Sequence, residues 1–306
     1  MTTTYPIDLH AHTTASDGTH TPTQLVQRAA NLGLQVLGIA DHDTIDGLAE
    51  AQAAGKTHGV EIVPAVEFST RHQYDRHFVG IHMLGYFVDP QAPALVSVMN
   101  KVKQGRVAQK IQQIEKLQSF GFDIPVEAVF ERVTGVPGRP HIAAVLVERN
   151  PDKFDSIQQV FDEYLGSKGR VHVKRPFALT VGEAIAVIKA AGGLPVFAHP
   201  GAYDAPIDPL QAVRNAHAEG AEGVEVYYPY DQGHRPAEDS QSWVARTQAL
   251  AQELALLQTG GTDFHGRPQD RVELGDMGLT AAQFAQLKQG WQKLRGHPAE
   301  SSPLRE

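Results

Sequence analysis

Seven short apolar runs of β character are spaced along the chain, and five of them stop at a histidine or a carboxylate. The runs are Ile7–Leu9, Val36–Ala40, Glu61–Val66, Ile81–Val88, Leu194–Ala198, Gly223–Val226 and Ala255–Gln258. Helical periodicity follows most of them, which is how β/α units read in sequence. In a β/α barrel the strand ends converge on one face. The pattern therefore predicts an α/β barrel with its chemistry gathered at the strand mouths. The first helix shows the local logic: Thr21 caps it, Pro22 suits the first helical position, Leu25, Ala29 and Leu32 share a face, and Gly33 ends it.

Between the fourth and fifth runs the pattern changes. Residues from about Asp89 to Pro176 read as mostly helical, far beyond the roughly 2–6 residues of a normal β/α connection. Leu95, Val98 and Val102, then Ile111, Ile114 and Leu117, keep helical spacing, and Gly121 and Pro125 close that long helix. The segment GVPGRP reads as a loop before Ile142. The expected division is a first barrel part over 1–88, a helical insert over 89–176, a second barrel part over 177–296 and a polar, unstructured tail over 297–306.

Composition narrows the chemistry. The chain has no cysteine, so a metal must be held by imidazole, carboxylate or water, and 15 histidines supply a surplus of imidazole. A formal charge of −8 argues against a broad basic surface for long nucleic acid and leaves room for a local cationic pocket. No apolar run approaches the roughly 20 residues of a membrane span. The start, MTTTYP, lacks the basic and apolar regions of a signal peptide. A cytoplasmic protein is expected.

The first run leads into IDLHAHTTASDG, where His10 and His12 stand two apart and so share one side of an extended chain, able to grip a single ion. Asp17, on the following loop, either reaches an adjacent ion or turns the chain before Gly18. His42 sits between Asp41 and Asp43, and Asp43 reads as a cap for a helix starting near Asp43 or Thr44. Glu67 is an anion delivered by an otherwise apolar run, as a bridging carboxylate would be. His199 precedes a helix-breaking Pro-Gly, and Asp263 and His265 repeat the two-residue spacing. Each alone admits a structural reading; five strand ends delivering such groups to one face favour a metal centre. In the helical stretch Arg106 and Lys110 stand four apart on one face, and Arg139 lies in the loop beside His141. A solvated helix face is the competing reading for these cations.

The motifs HAHTTASDGT, IADHDT, AVEFS, IHMLGYFVD, VFAHPG and GTDFH, in this order, resemble the polymerase and histidinol phosphatase (PHP) family of the amidohydrolase superfamily. The helical insert and GRPHIA resemble its bacterial branch of 3′,5′-nucleoside bisphosphate phosphatases and 5′–3′ exoribonucleases. The resemblance implies a distorted seven-stranded β/α barrel with two or three divalent metals, manganese first, with iron or zinc as alternatives. It makes His10, His12, Glu67 and Asp263 one metal site, with Asp17, His42, His82, His199 and His265 serving the neighbouring ions and Glu67 bridging two. His82 is awkward, because it falls near a strand's start, and His77 competes with it. His20, His58, His72, His172, His217, His234 and His297 fall outside the pattern and read as surface or structural. Arg106 and Arg139 are implied as phosphate-binding residues, with Lys110, His141 and Asp17 as further substrate contacts.

The expected activity is hydrolysis of the 3′-phosphate of a nucleoside 3′,5′-bisphosphate by a metal-activated water, with Glu67, His199 and Asp263 as catalytic residues and no covalent intermediate. Trimming of short 5′-phosphorylated RNA from its 5′ end would use the same geometry. The expected partner is thus a small phosphorylated nucleotide or short RNA. Two alternatives stand beside this. A histidinol-phosphate phosphatase is disfavoured by the insert and the GRPH loop, and a non-catalytic, metal-binding polymerase-accessory module by the intact ligand set.

Overall fold

All seven runs form strands, and the order of the strands in the sheet is their order in the chain. They are β1 (Ile7–Ala11), β2 (Val36–Ile39), β3 (Glu61–Ser69), β4 (His82–Tyr86), β5 (Leu194–Phe197), β6 (Gly223–Tyr227) and β7 (Leu257–Gly260). This is a computed structural model, and it describes residues 5–133, 135–166, 169–203, 207–231, 240–268 and 270–296. The expected tail over 297–306, with His297, and His234 lie outside the described residues. Strands β1 and β2 are buried at every position, as expected of parallel strands covered on both faces.

The sheet curls into a half-barrel. β1, β2 and β3 are parallel, β4 runs antiparallel to both its neighbours, and β5, β6 and β7 are again parallel. Among the described residues β1 and β7 share no ladder. Contact across that seam is made just beyond β7, where Ala11 and Phe264 form an isolated bridge and the His12 N–H donates to the Phe264 carbonyl at 2.9 Å. The reversal of β4 was absent from the sequence reading, and it accounts for His82. The start of an antiparallel strand lies at the same rim as the ends of its parallel neighbours, and His82 pairs with Ser69 at the end of β3.

Helices α1 (Pro22–Asn31), α2 (Leu48–His58), α3 (Pro93–Ser119), α4 (Val126–Phe130), α5 (Arg139–Arg149), α6 (Ile157–Val160), α7 (Val181–Ala190), α8 (Pro209–Ala218), α9 (Ser240–Glu253) and α10 (Ala281–Leu294) are joined by short helical turns at Tyr74–Arg76, Phe161–Leu165 and Pro200–Ala202. Thr21 and Gln24 form a full capping box on α1. Its buried face is Leu25, Val26 and Ala29, whereas Leu32, expected on that face, lies past the helix end and is exposed. Helix α2 starts at Leu48 with Gly47 as its cap, so Asp43 caps no helix. Its carboxylate instead accepts from the Ser69 N–H at 3.0 Å, with Asp43 itself in the left-handed region at φ 55°. Arg139, expected in a loop, is the first residue of α5.

Ile7, Leu9, Val63, Ala65, Leu84 and Val196 form a core inside the curl, and a larger cluster lies under α3, α7, α8 and α9. A further cluster draws all its buried members from residues 114–171, including Ile114, Leu117, Ile142, Leu146 and Tyr164. Helix α3 joins the two: Leu95, Met99 and Val102 belong to the larger core, and Ile114 and Leu117 to the separate one. Among the described residues no helix is long and apolar enough to cross a membrane.

Close packing of β1 on β2 rests on Gly38, where a Cβ would meet the Leu9 carbonyl oxygen at 2.0 Å. Both strands would have to move. Gly38→Ala is therefore expected to lower unfolding stability by about 1–3 kcal/mol, the usual range for overpacking, as read by urea denaturation; an unchanged midpoint would contradict the close approach.

Candidate metal centre

The strand mouths bring nine side chains together. His10 and His12 leave β1 on one side, and their Nε2 atoms stand 3.2 Å apart. Asp263 Oδ1 lies 3.4 Å from the first and 2.9 Å from the second, and Glu67 Oε2 lies 3.4 Å from each. Ligand atoms about 2.0–2.2 Å from a common ion are spaced by roughly 3 Å, so these four atoms surround a point rather than bond to one another. Glu67 Oε2 also lies 2.8 Å from His42 Nδ1, while its Oε1 faces His82 Nδ1 at 2.7 Å and His199 Nε2 at 3.1 Å. One buried carboxylate thus faces five imidazoles with its two oxygens. A further group joins His12, Asp17, His42 and His265, with His265 Nε2 at 3.3 Å from Asp17 Oδ1.

Hydrogen bonding leaves these groups incomplete. Glu67 Oε2, Asp17 Oδ1, Asp263 Oδ1, His12 Nδ1, His42 Nδ1 and His199 Nδ1 are buried atoms without a hydrogen-bond partner. Close approach without hydrogen-bond alignment, as between His42 Nδ1 and Glu67 Oε2, suits lone pairs aimed at a shared cation. The donor set of imidazole nitrogens and carboxylate oxygens fits manganese, iron or zinc. His77 stands apart: its Nδ1 accepts the Asp208 N–H at 3.3 Å.

Burial and charge set the protonation states. Burial opposes ionisation of Glu67, Asp17 and Asp263, yet the neighbouring imidazoles overcome it. His42, His82 and His10 act on Glu67, His265 and His42 on Asp17, and His10 with His12 on Asp263, and all three carboxyls are held below their ordinary range. His12 is pushed down to about 3 by burial, then by His265 and His42, and so is neutral with a free lone pair. Burial likewise opposes protonation of His10, His199 and His265, but Glu225, Glu67 and Asp17 respectively draw them above the ordinary value.

Four cations crowd beside this centre. Arg106 and Lys110 are buried at the middle of α3, Arg175 reaches in from the segment after α6, and Arg139 opens α5. Asp43 is the carboxylate that pairs with them among the described residues: Oδ2 takes Arg175 Nη1 at 2.9 Å and Arg106 Nε at 3.3 Å. Arg106 Nη1 also donates to the His42 carbonyl at 3.1 Å, which ties α3 to the mouth of β2. Among the described residues Lys110 bonds to Gln109 Oε1 alone, at 3.2 Å, and its pKa falls well below the ordinary value through burial and then Arg106, Arg175 and Arg139. Arg139 has much of its area in solvent although protein surrounds the guanidinium. Its Nη1 donates to the Leu165 carbonyl at 3.0 Å. His141 Nδ1 accepts the Gly138 N–H at 2.9 Å, which leaves the ring proton on Nε2. The Val136 N–H donates to the Ala15 carbonyl at 2.8 Å and docks this segment beside the loop that carries Asp17.

Sequence reading missed the residues that hold the ligands. Glu225, fully buried on β6, accepts from His10 Nδ1 at 3.0 Å and from the His199 N–H at 2.9 Å. The first contact places the His10 proton on Nδ1 and turns Nε2 inward. Asp8 accepts from the Thr262 N–H and hydroxyl and from the Gly275 N–H. Asp41 accepts from Thr13 and Ser16. The signal was present: Glu225 in GVEV and Asp8 in IDLH are charges in apolar runs, as Glu67 is in AVEF. Arg175, and Arg267 on Asp17 Oδ2 at 2.8 Å, carried no such mark. His199 and Asp263 hold left-handed backbone at φ 23° and 55°, strain that persists where surrounding structure enforces it.

A curled sheet with imidazoles and carboxylates at its mouth defines a metal-dependent phosphoesterase once it is set beside known proteins. The PHP domain matches residues 8–167, and the chain belongs to the PHP family. A 5′-3′ exoribonuclease from Haemophilus influenzae is 34% identical over 269 residues, 88% of this chain and 92% of that protein. A 3′,5′-nucleoside bisphosphate phosphatase from Chromobacterium violaceum is 30% identical over 272 residues, 88% and 90% of the two chains. A solved structure from Bifidobacterium adolescentis, described as a metal-dependent phosphoesterase, matches with a TM-score of 0.80 at 29% identity, over 93% of this chain and 96% of its own.

Two outcomes test the centre. Metal-reconstituted protein should carry at least two ions per chain by elemental analysis, because the ligands exceed what one ion can coordinate; one ion or fewer would contradict the shared Glu67. A histidine with a raised folded pKa adds stability below its unfolded value of about 6.5 and loses it as pH rises through the folded value. The melting temperature of metal-free protein should therefore fall as pH is raised from about 6.5 towards 9. The gain on adding manganese should grow over the same range, because fewer protons compete. A gain independent of pH would exclude His10, His199 and His265 as ligands.

Proposed function

We propose that this enzyme hydrolyses the 3′-phosphate of nucleoside 3′,5′-bisphosphates and, with the same geometry, trims short 5′-phosphorylated RNA from its 5′ end. The observation that carries the reading is the cation cluster of Arg106, Lys110, Arg139 and Arg175, whose one paired carboxylate among the described residues is Asp43. Cations packed this closely repel one another, and burial, then Arg106, Arg175 and Arg139, lower the Lys110 pKa. A dianionic phosphate entering there would satisfy them. It would sit beside the metal centre rather than in it, which calls for a substrate with two phosphates. The relatives named as a bisphosphate phosphatase and an exoribonuclease support that substrate class.

In this reading His10, His12, Glu67 and Asp263 would hold one ion, and Asp17, His42, His82, His199 and His265 would hold its neighbours, with Glu67 available to both. When bound, divalent ions supply a water ionised near neutral pH and neutralise charge on phosphoryl oxygens. The chain's own groups do the rest. Asp43 fixes the Arg106 and Arg175 guanidiniums, so the pocket is organised before substrate arrives. Arg139 and the His141 Nε2–H line the open side and orient the second phosphate. Residues 89–176 act as an inserted subdomain that carries three of the four anion-binding side chains on α3 and α5 and the fourth, Arg175, at its far end.

Each charge-assisted contact contributes on the order of 1.5–3 kcal/mol, so losing one should weaken recognition roughly tenfold or more. Arg139→Ala should lower kcat/KM for a nucleoside 3′,5′-bisphosphate by that factor and change little for an aryl phosphate, which has no second phosphate to hold. Equal losses on both, with metal content intact, would place Arg139 on the reacting phosphoryl group and defeat the two-phosphate reading. Histidinol phosphate in the same assay tests the main rival. Glu67→Gln should cost far more activity than His77→Ala, since only Glu67 faces the clustered imidazoles; equal rates would remove Glu67 from the centre.

A further inference from the structure

Beyond the anion pocket, two segments run outward side by side. Residues 171–175 have no regular secondary structure, and Val171, Val173 and Arg175 are covered while His172 and Lys174 are exposed, the alternation expected of extended chain. The stretch is anchored by Gln109 Nε2 donating to the Val173 carbonyl at 2.7 Å. Its inner end is Arg175, whose Nη1 lies 2.9 Å from Asp43 Oδ2 and 3.3 Å from the Ser69 carbonyl at the end of β3. The second segment continues from that strand. Arg71, two residues past Ser69, is exposed, and its N–H donates to the Leu179 carbonyl at 2.7 Å. His72 follows, close enough to His172 that its pKa is lowered, first by burial and then by that neighbour. Tyr74 lies edge-on to the His72 ring at 5.8 Å and is 71% exposed, the largest exposure among the exposed large hydrophobic side chains of the described residues.

Charge on this strip is mostly positive. Arg71 and Lys174 have no carboxylate partner among the described residues. Of the acids nearby, Asp75 next to Tyr74 is solvent-exposed 4.0 Å from Arg76 Nε, Glu219 lies 3.8 Å from Arg76 Nη1, and Glu183 accepts from the Thr180 N–H in the cap of α7. On a chain of net charge −8 such a local excess is a footprint for an anion. Lys174 and His172 are about 7 Å apart along an extended chain, a step comparable to one nucleotide of backbone. An exposed tyrosine beside a cationic line is the combination that receives single-stranded nucleic acid, through phosphate contacts and base stacking.

We infer that Arg71, Lys174 and Tyr74, with His72 and His172, form a track that holds the backbone and bases of a single-stranded oligonucleotide downstream of the nucleotide in the metal centre. The inference rests on the nucleotide reading of that centre and goes beyond it. The track makes oligonucleotides tighter ligands than mononucleotides, and it leaves the chemistry of the mononucleotide untouched.

The test compares wild type with Arg71→Ala/Lys174→Ala and with Tyr74→Ala, using a nucleoside 3′,5′-bisphosphate and a 5′-phosphorylated hexauridylate. For the hexamer the double variant should raise KM about tenfold at similar kcat, while the bisphosphate keeps its kcat/KM and the melting temperature is unchanged. The slope of log KM against log salt for the hexamer should fall by about 1.4, at roughly 0.7 per lost contact to a single strand. Tyr74→Ala should raise hexamer KM without changing that slope. Equal effects on both substrates, or a wild-type KM and salt slope independent of length, would overturn the track. Anisotropy of fluorescein-labelled hexauridylate in chelator reads binding without turnover. Tight wild-type binding that the double variant loses supports the track even if neither substrate is hydrolysed, a result that would sink the proposed activity alone; binding equal in wild type and variant refutes the track.

Discussion

A fully buried carboxylate facing five imidazoles organises this protein. Glu67 has no exposure, and an isolated anion so placed would be strongly destabilising. It is stable there because His10, His12 and His42 face one of its oxygens and His82 and His199 the other. Those rings in turn need carboxylates behind them, which Glu225 supplies to His10 and to the backbone of His199. Each charge at the strand mouths depends on one from another strand. The curl of the sheet is therefore a requirement of the site: only a curled sheet brings β1, β3 and β6 within hydrogen-bond reach of shared partners.

Two devices hold that curl at its open seam. Asp8 on β1 accepts three hydrogen bonds from Thr262 and Gly275, and backbone bonding between His12 and Phe264 carries the contact outward. Burial raises the Asp8 pKa to about 6 despite these donors, so the seam carries an electrostatic load in return for fixing Asp263 and His265 opposite His10 and His12. The antiparallel β4 solves a different problem. A parallel strand would bring its last residue to the mouth, whereas reversal brings its first, His82, and sends the chain away from the mouth toward α3.

Helix α3 then returns the chain to the site. Its 27 residues span about 40 Å at 1.5 Å per residue, enough to leave one hydrophobic core and enter another. Arg106 and Lys110 fall between the two, where neither core can use them, and Asp43 is the anchor that makes the first tolerable. The buried cations are thus set by the junction between two packed regions, and the clustered imidazoles and carboxylates by the mouth of a single sheet.

The sequence by itself determined the strands and the histidines and carboxylates that gather at their ends, because apolar runs, His-x-His spacing and charges at run ends are local signals that survive without a fold. It also held the clue to Glu225 and Asp8, unread because a buried charge in a strand tells neither which face it takes nor what it meets. Tertiary structure alone decided the direction of β4, hence the placement of His82. It took Asp43 from a helix cap to a cation anchor, and it brought Arg175 across 132 residues to Asp43. Helix α5 begins at Arg139 on local signals that the loop reading passed over, Pro140 in its first turn and the Gly138 N–H on His141 Nδ1. The pairing of Asp43 with Arg175 joins residues far apart in the chain, and no periodicity or spacing can encode a partner that only packing selects.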